Sequence, residues 1–125
     1  MQPLPANLLK GNNPDVLSYL KEQSCHGDNL QTLHKILSRY ADVRRFCPDS
    51  RNYRYFLWYR GDTVFAYGVG TRNISLRIGP THATLAASQA RGLTRFDGNN
   101  WYAVPYDCEQ LELLARQAYK DAAIL

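Results

Sequence analysis

A chain of 125 residues with 45% hydrophobic and 21% charged side chains has the size and make-up of one globular domain with a real core, which excludes wholesale disorder and a fibre. The net charge of +4 is unevenly spread: residues 1–38 are neutral, residues 39–95 hold ten arginines against three aspartates for +7, and residues 96–125 come to −3. No apolar run approaches a membrane span, and the opening "MQPLPANLLKGNN" lacks the basic and apolar regions of a secretory leader, so the expected setting is the cytoplasm, with no membrane contact.

Residues 1–12, rich in proline, glycine and asparagine, read as an N-terminal arm ahead of a single domain spanning 13–125. Asn13 is a good helix cap, Pro14 suits the first helical position and Asp15 complements the positive helix end, so a helix is predicted there with Val16, Leu17 and Leu20 inward. Gly27 in "CHGD" stops it. A second helix is predicted from Asp28, with Gln31 completing a capping-box pattern and Leu30, Leu33, Leu37 and Tyr40 along its inner face. His34 borders that face, where a lone histidine reads as a core-edge side chain.

After Pro48 the hydrophobic period changes from that of a helix to two. Tyr53–Arg60 and Thr63–Val69 are aromatic and β-branched runs joined by Gly61-Asp62, a two-residue hairpin loop. Simple pairing across that loop sets Arg60 opposite Thr63, Trp58 opposite Phe65, Phe56 opposite Tyr67 and Arg54 opposite Val69. One face then carries Phe56, Trp58, Phe65 and Tyr67, and the other Tyr55, Leu57, Tyr59, Val64 and Ala66. Ile74, Leu76 and Ile78 alternate with Ser75 and Arg77 in a third strand. Gly79-Pro80 leads to an alanine-rich helix at about 81–90, followed by a second hairpin, Leu93–Phe96 against Trp101–Val104. "VPYDCEQL" opens the last helix, with Asp107 and Gln110 as a capping box, Tyr106 stapled to Leu111, and Leu111, Leu114, Ala115, Ala118 and Ala122 facing inward. The predicted fold is α+β: an antiparallel sheet of about five strands, built from two hairpins plus one strand and packed by two N-terminal helices, a middle alanine-rich helix and a C-terminal helix.

Several of these stretches carry a family resemblance. "RRF" ahead of the sheet, the hairpin "YFLWYRGDTVFAYGV", "ISLRIG" before an alanine-rich helix, and "WYAVPYD" before "LELLARQAYKDAA" make the chain from Asp42 onward similar to the N-terminal domain of TfoX-type proteins and to the MmcQ/YjbR-like group. The resemblance covers about two-thirds of the chain. It implies a non-catalytic domain linked to regulation or DNA-related processes, and it offers no catalytic residue to carry across. The methionine-phenylalanine-glycine signature of the TfoX pattern is replaced here by "CPDSRNYRYF".

Function is then expected from binding rather than catalysis. Cys25, Cys47 and Cys108 are odd in number and widely spaced, which reads as reduced, buried thiols rather than disulfides or a zinc site. Cys25-His26 are sequence neighbours whose side chains diverge, and "YGVGTRN" does not open a helix as a phosphate loop must. No catalytic residue, metal site or cofactor is therefore expected. The basic segment is basic by arginine alone, which favours planar, bidentate contact with carboxylate or phosphate and stacking on rings. Trp58, Phe56, Tyr67 and Phe65 are the candidate platform, with Arg54, Arg60, Arg77 and Arg95 around it. Such a surface suits a protein partner or homodimer; the alternatives are nucleic acid stacked on the same rings, a small anionic ligand held by tyrosine and arginine, or an unrecognised enzyme.

Overall fold

A computed structural model of the chain describes residues 3–9, 14–20, 30–49, 55–68, 73–82, 86 and 101–123. Its centre is an open, five-stranded antiparallel sheet in the order β1-β2-β3-β4-β5, with β1 Val43–Phe46, β2 Phe56–Arg60, β3 Thr63–Gly68, β4 Asn73–Arg77 and β5 Trp101–Pro105. Among the described residues, three helices with complete bounds accompany it: α1 Pro14–Leu20, α2 Gln31–Leu37 and α3 Leu111–Asp121. The fold is α+β, as the grouping of strands by hairpins implies.

Hydrophobic periodicity places the layers. Leu33, Ile36 and Leu37 of α2 and Leu111, Leu114, Ala115 and Ala118 of α3 are buried, and they pack with Trp58, Phe65, Ala66, Ile74, Leu76 and Val104 from one sheet face. The opposite face is covered as well. Leu57, Val64, Tyr67 and Trp101 pack there with Val16, Leu17 and Leu20 of α1, and with Leu8. Leu8 lies in a short 3-10 turn, Ala6–Leu9, and is 0% exposed. Asn7 Nδ2 donates to the carbonyl of Gly61 at 2.8 Å, so the segment read as an arm is tied into the lower layer at the tip of the β2–β3 hairpin.

That hairpin turns at Gly61, whose φ of 58° is left-handed backbone that glycine takes without a Cβ clash. Arg60 pairs with Thr63 and Tyr59 with Val64, as predicted; then Trp58 pairs with Ala66, Leu57 with Tyr67 and Phe56 with Gly68. Phe65 is thus one extra residue on β3, a β-bulge. The predicted pairs Trp58–Phe65 and Phe56–Tyr67 are corrected by it. Beyond a bulge the two-residue alternation changes phase, so Tyr67 moves to the α1 face while Phe65 and Ala66 both serve the α2/α3 face.

Three further differences are local. β1 was not anticipated as a strand: its "VRRF" pairs Arg44 with Tyr59 and Arg45 with Trp58, because polar side chains are tolerated on a sheet edge. The final helix begins at Leu111, after turns closed by Cys108 N–H to Pro105 O and Leu111 N–H to Cys108 O. Its cap residue is Gln110, with no side-chain capping bond, so Asp107 is not the cap. Tyr106 is 39% exposed, which is not the position of a staple. The predicted helix at 81–90 lies outside the described residues except for Pro80–His82, which form a 3-10 turn, and Ala86, which is buried. The strand predicted at Leu93–Phe96 also lies outside them, and β5 pairs with β4.

Candidate functional site

The candidate platform rings lie inside the protein. Trp58 is 1%, Phe65 0% and Tyr67 1% exposed, so they form no open platform on which bases or partner side chains could stack, although Trp58 contributes to the wall of a surface cavity. Their assignment to a contact surface is corrected: with helices on both sides of the sheet, each ring is core. Phe56 is partly buried against the α2/α3 cluster. Arg54 and Arg95 lie outside the described residues. Arg77 is half-buried, its Nε has no hydrogen-bond partner among the described residues, and burial draws the guanidinium pKa down.

Arg60 is already engaged. Its Nε donates to Asp42 Oδ2 at 2.8 Å, its Nη1 donates to the carbonyl of Tyr119 at 3.1 Å, and its guanidinium lies 4.2 Å from the centroid of the Tyr119 ring. The Tyr119 hydroxyl donates to Asp42 Oδ1 at 2.8 Å, and the same ring stacks on Tyr40 at 3.9 Å. This bond chiefly holds the Asp42 carboxyl below its ordinary pKa and raises that of Tyr119. Arg39 donates to Glu112, which Arg116 also approaches at 3.5 Å, and these contacts lower the Glu112 pKa. Together the groups fasten the α2–β1 turn to α3.

Beside that fastening is a surface cavity of about 290 Å³ between the C-terminal half of α2 and β1. Its apolar wall comes from Leu37, Tyr40, Ala41, Val43 and Trp58, and its polar rim from His34, Ser38 and Arg45. Register explains the rim: Arg45 pairs with Trp58 and so shares its face, pointing toward α2. Arg45 Nη1 lies 3.5 Å from His34 Nδ1, and its guanidinium is 5.5 Å from the centroid of the Phe56 ring. Burial first, and the Arg45 charge second, draw the His34 pKa below its ordinary value, so the imidazole is neutral at pH 7. The ion pairs among the described residues join Arg39 and Arg116 to Glu112 and Arg60 to Asp42; none engages Arg45.

Reading the sequence alone missed His34, Tyr40 and Arg45 as a group. The available signal was the arginine pair in "RRF", which marks a polar edge strand only once its pairing with β2 is known. Cys47 and Cys108 are half-buried, less enclosed than expected; burial pushes the Cys47 pKa up, and Cys25 lies outside the described residues. Among the described residues, no cluster of three histidine, cysteine or acidic side chains is placed to hold a metal, and no helix is long and apolar enough to cross a membrane. No family model, curated protein or solved structure matches the chain.

Proposed function

We propose that this domain acts by binding, and that its site is the cavity between α2 and β1, which takes a small anionic ligand with Arg45 as the counter-charge. The observation that carries the reading is an exposed guanidinium without an acidic partner among the described residues, standing over an apolar-walled cavity of about 290 Å³. Arginine offers several donors in a fixed plane, and a neutral imidazole beside it adds a further hydrogen-bonding group without a competing charge. The cavity is near the lower end of ligand-pocket sizes, which run from about 300 to 1,000 Å³, so it suits a compact molecule rather than a dinucleotide. A Cys47 thiol whose pKa is raised is protonated at neutral pH and a weak nucleophile, which agrees with binding over catalysis. A relationship to the TfoX N-terminal and MmcQ/YjbR-like groups, with their implied regulatory role, belongs to the same proposal.

The test is a titration with small anions, followed by NMR through the Arg45 Nε and His34 ring resonances. Both signals are expected to shift saturably, and Arg45→Gln is expected to remove the response. A second reading, association with a protein partner or another copy, rests on Arg44 and Arg45, both exposed on β1, a strand with one neighbour in the sheet. Sedimentation at low and high salt distinguishes it: a protein complex through this edge raises the mass and weakens with salt.

A further inference from the structure

Resting on that reading, we infer that the ligand class is a small monocarboxylic acid with an apolar body, its carboxylate on Arg45 at the rim and its body against Trp58. The cavity is built with polarity at one end. Leu37, Val43 and Trp58 form an apolar wall, while His34 and Arg45 stand together at the edge. A fully hydrated anion such as inorganic phosphate would leave that wall unused, whereas an amphiphilic acid satisfies both ends at once.

Charge count selects among acids. Among the described residues, the cavity is lined by one permanent positive charge, Arg45; Arg39 and Arg60 are committed to Glu112 and Asp42, and burial together with the Arg45 charge draws the His34 pKa down. One cation balances a monoanion and leaves half of a phosphate monoester's charge uncompensated at neutral pH. Geometry agrees with this: a planar carboxylate matches the donor fork of arginine, and its second oxygen can accept from a neighbouring N–H or hydroxyl group. Lys35 is next to His34 in sequence, but consecutive helical side chains diverge by about 100°, and Lys35 is not among the residues lining the cavity.

The experiment uses the full chain and straight-chain acids from acetate to hexanoate, with phenylacetate, inorganic phosphate, phenyl phosphate and hexylammonium as comparisons. The readouts are the Arg45 and His34 NMR signals and the tryptophan fluorescence, to which Trp58 and Trp101 both contribute. Affinity is expected to rise about threefold to fourfold for each added methylene, the factor set by burying one such group, until the cavity is full. Hexanoate and phenylacetate should bind in the millimolar range or tighter, and Arg45→Gln should weaken both at least tenfold while leaving the circular dichroism spectrum unchanged. If acetate, phosphate and hexanoate bind equally and all depend on Arg45, the monocarboxylate class is overturned while the anion site stands. If hexylammonium binds as well as hexanoate, or if no anion moves the Arg45 and His34 signals at up to about 20 mM, well past that millimolar range, both the class and the site are overturned.

Discussion

Trp58 is the residue on which the two views of the hairpin differ most. As part of an exposed platform, its replacement would leave stability almost unchanged, since surface substitutions usually stay within about 0.5 kcal/mol. As observed, it is 1% exposed, is paired across the sheet with the small Ala66, and sits in the cluster joined to α2 and α3. Buried aromatic side chains remove about 150–250 Å² from water, and truncating one to alanine costs about 3–5 kcal/mol once the residual cavity is included. Trp58 also lines the surface cavity, so water can enter part of the space left behind, and the lower half of that range is expected. In urea, with a slope of about 2 kcal/mol per molar, the middle of the range for small domains, Trp58→Ala should lower the midpoint by about 1.5–2 M with little change in slope. Trp58→Phe keeps a ring and should lose less than half as much. A Trp58→Ala protein less than about 1 kcal/mol weaker than the parent, a loss too small for a core aromatic, would refute the sandwiched arrangement of the sheet.

Four other outcomes follow from particular contacts. Asp121, 6% exposed, accepts the Gly79 N–H at 2.7 Å and the Gln117 Nε2 at 2.9 Å; Asp121→Ala strands a buried donor and should cost about 1–3 kcal/mol, whereas Asp121→Asn keeps an acceptor oxygen and should cost less, both measured by denaturant unfolding. A Cβ at Gly61 meets nothing within 4 Å, so the penalty of Gly61→Ala comes from the φ of 58° alone, about 1–2 kcal/mol, visible as a lower melting temperature with unchanged spectra. In Tyr119→Phe the carboxyl carbon of Asp42 should titrate at a higher pH than in the parent, because the hydroxyl bond is the largest influence holding it down. The depressed Asp42 and Glu112 pKa values mean that their stabilising effect is present above the ordinary carboxylate range and is lost as pH falls into and below it, so the parent should lose more stability on acidification than an Asp42→Asn variant.

The helices were legible because each has one apolar stripe at a fixed spacing. Leu111, Leu114, Ala115, Ala118 and Ala122 are all buried, as their periodicity required. The hairpin was legible in place but not in phase. Gly61-Asp62 located the turn and the first two residue pairs, yet nothing in "TVFAYG" distinguishes a regular strand from one with an extra residue, since a bulge is decided by which side chains the two covering layers can accept. Phe65 sits on the α2/α3 side because space exists there beside Tyr119, whose ring it meets edge-on at 6.5 Å. Tyr67 is thereby released to pack against Trp101 at 5.1 Å, a partner 34 positions away in the chain. Contacts between separate elements leave no local trace, which is also why the His34–Arg45 pair, 11 positions apart but on different elements, went unread.

The arginine bias of the middle segment takes on a different meaning once each side chain is placed. Arg60 is stacked, ion-paired and bonded to a carbonyl, and Arg39 is paired with Glu112 across to α3. Arg39 answers the acidic final segment, while Arg60 pairs with Asp42 and reaches α3 through the Tyr119 carbonyl and ring; both hold the sheet edge to the helix. Arg44 and Arg45 follow one another on β1, so strand alternation sends them to opposite faces. Arg44 shares a face with Tyr59 and Arg45 with Trp58. Of the two, Arg45 alone lines the cavity. Unlike Arg39 and Arg60, it has no acidic partner among the described residues; its guanidinium stands 3.5 Å from His34 Nδ1 and over the Phe56 ring. The same alternation that hides the aromatic rings therefore singles out one arginine, and it does so at the point where the covering layer between α2 and β1 is incomplete.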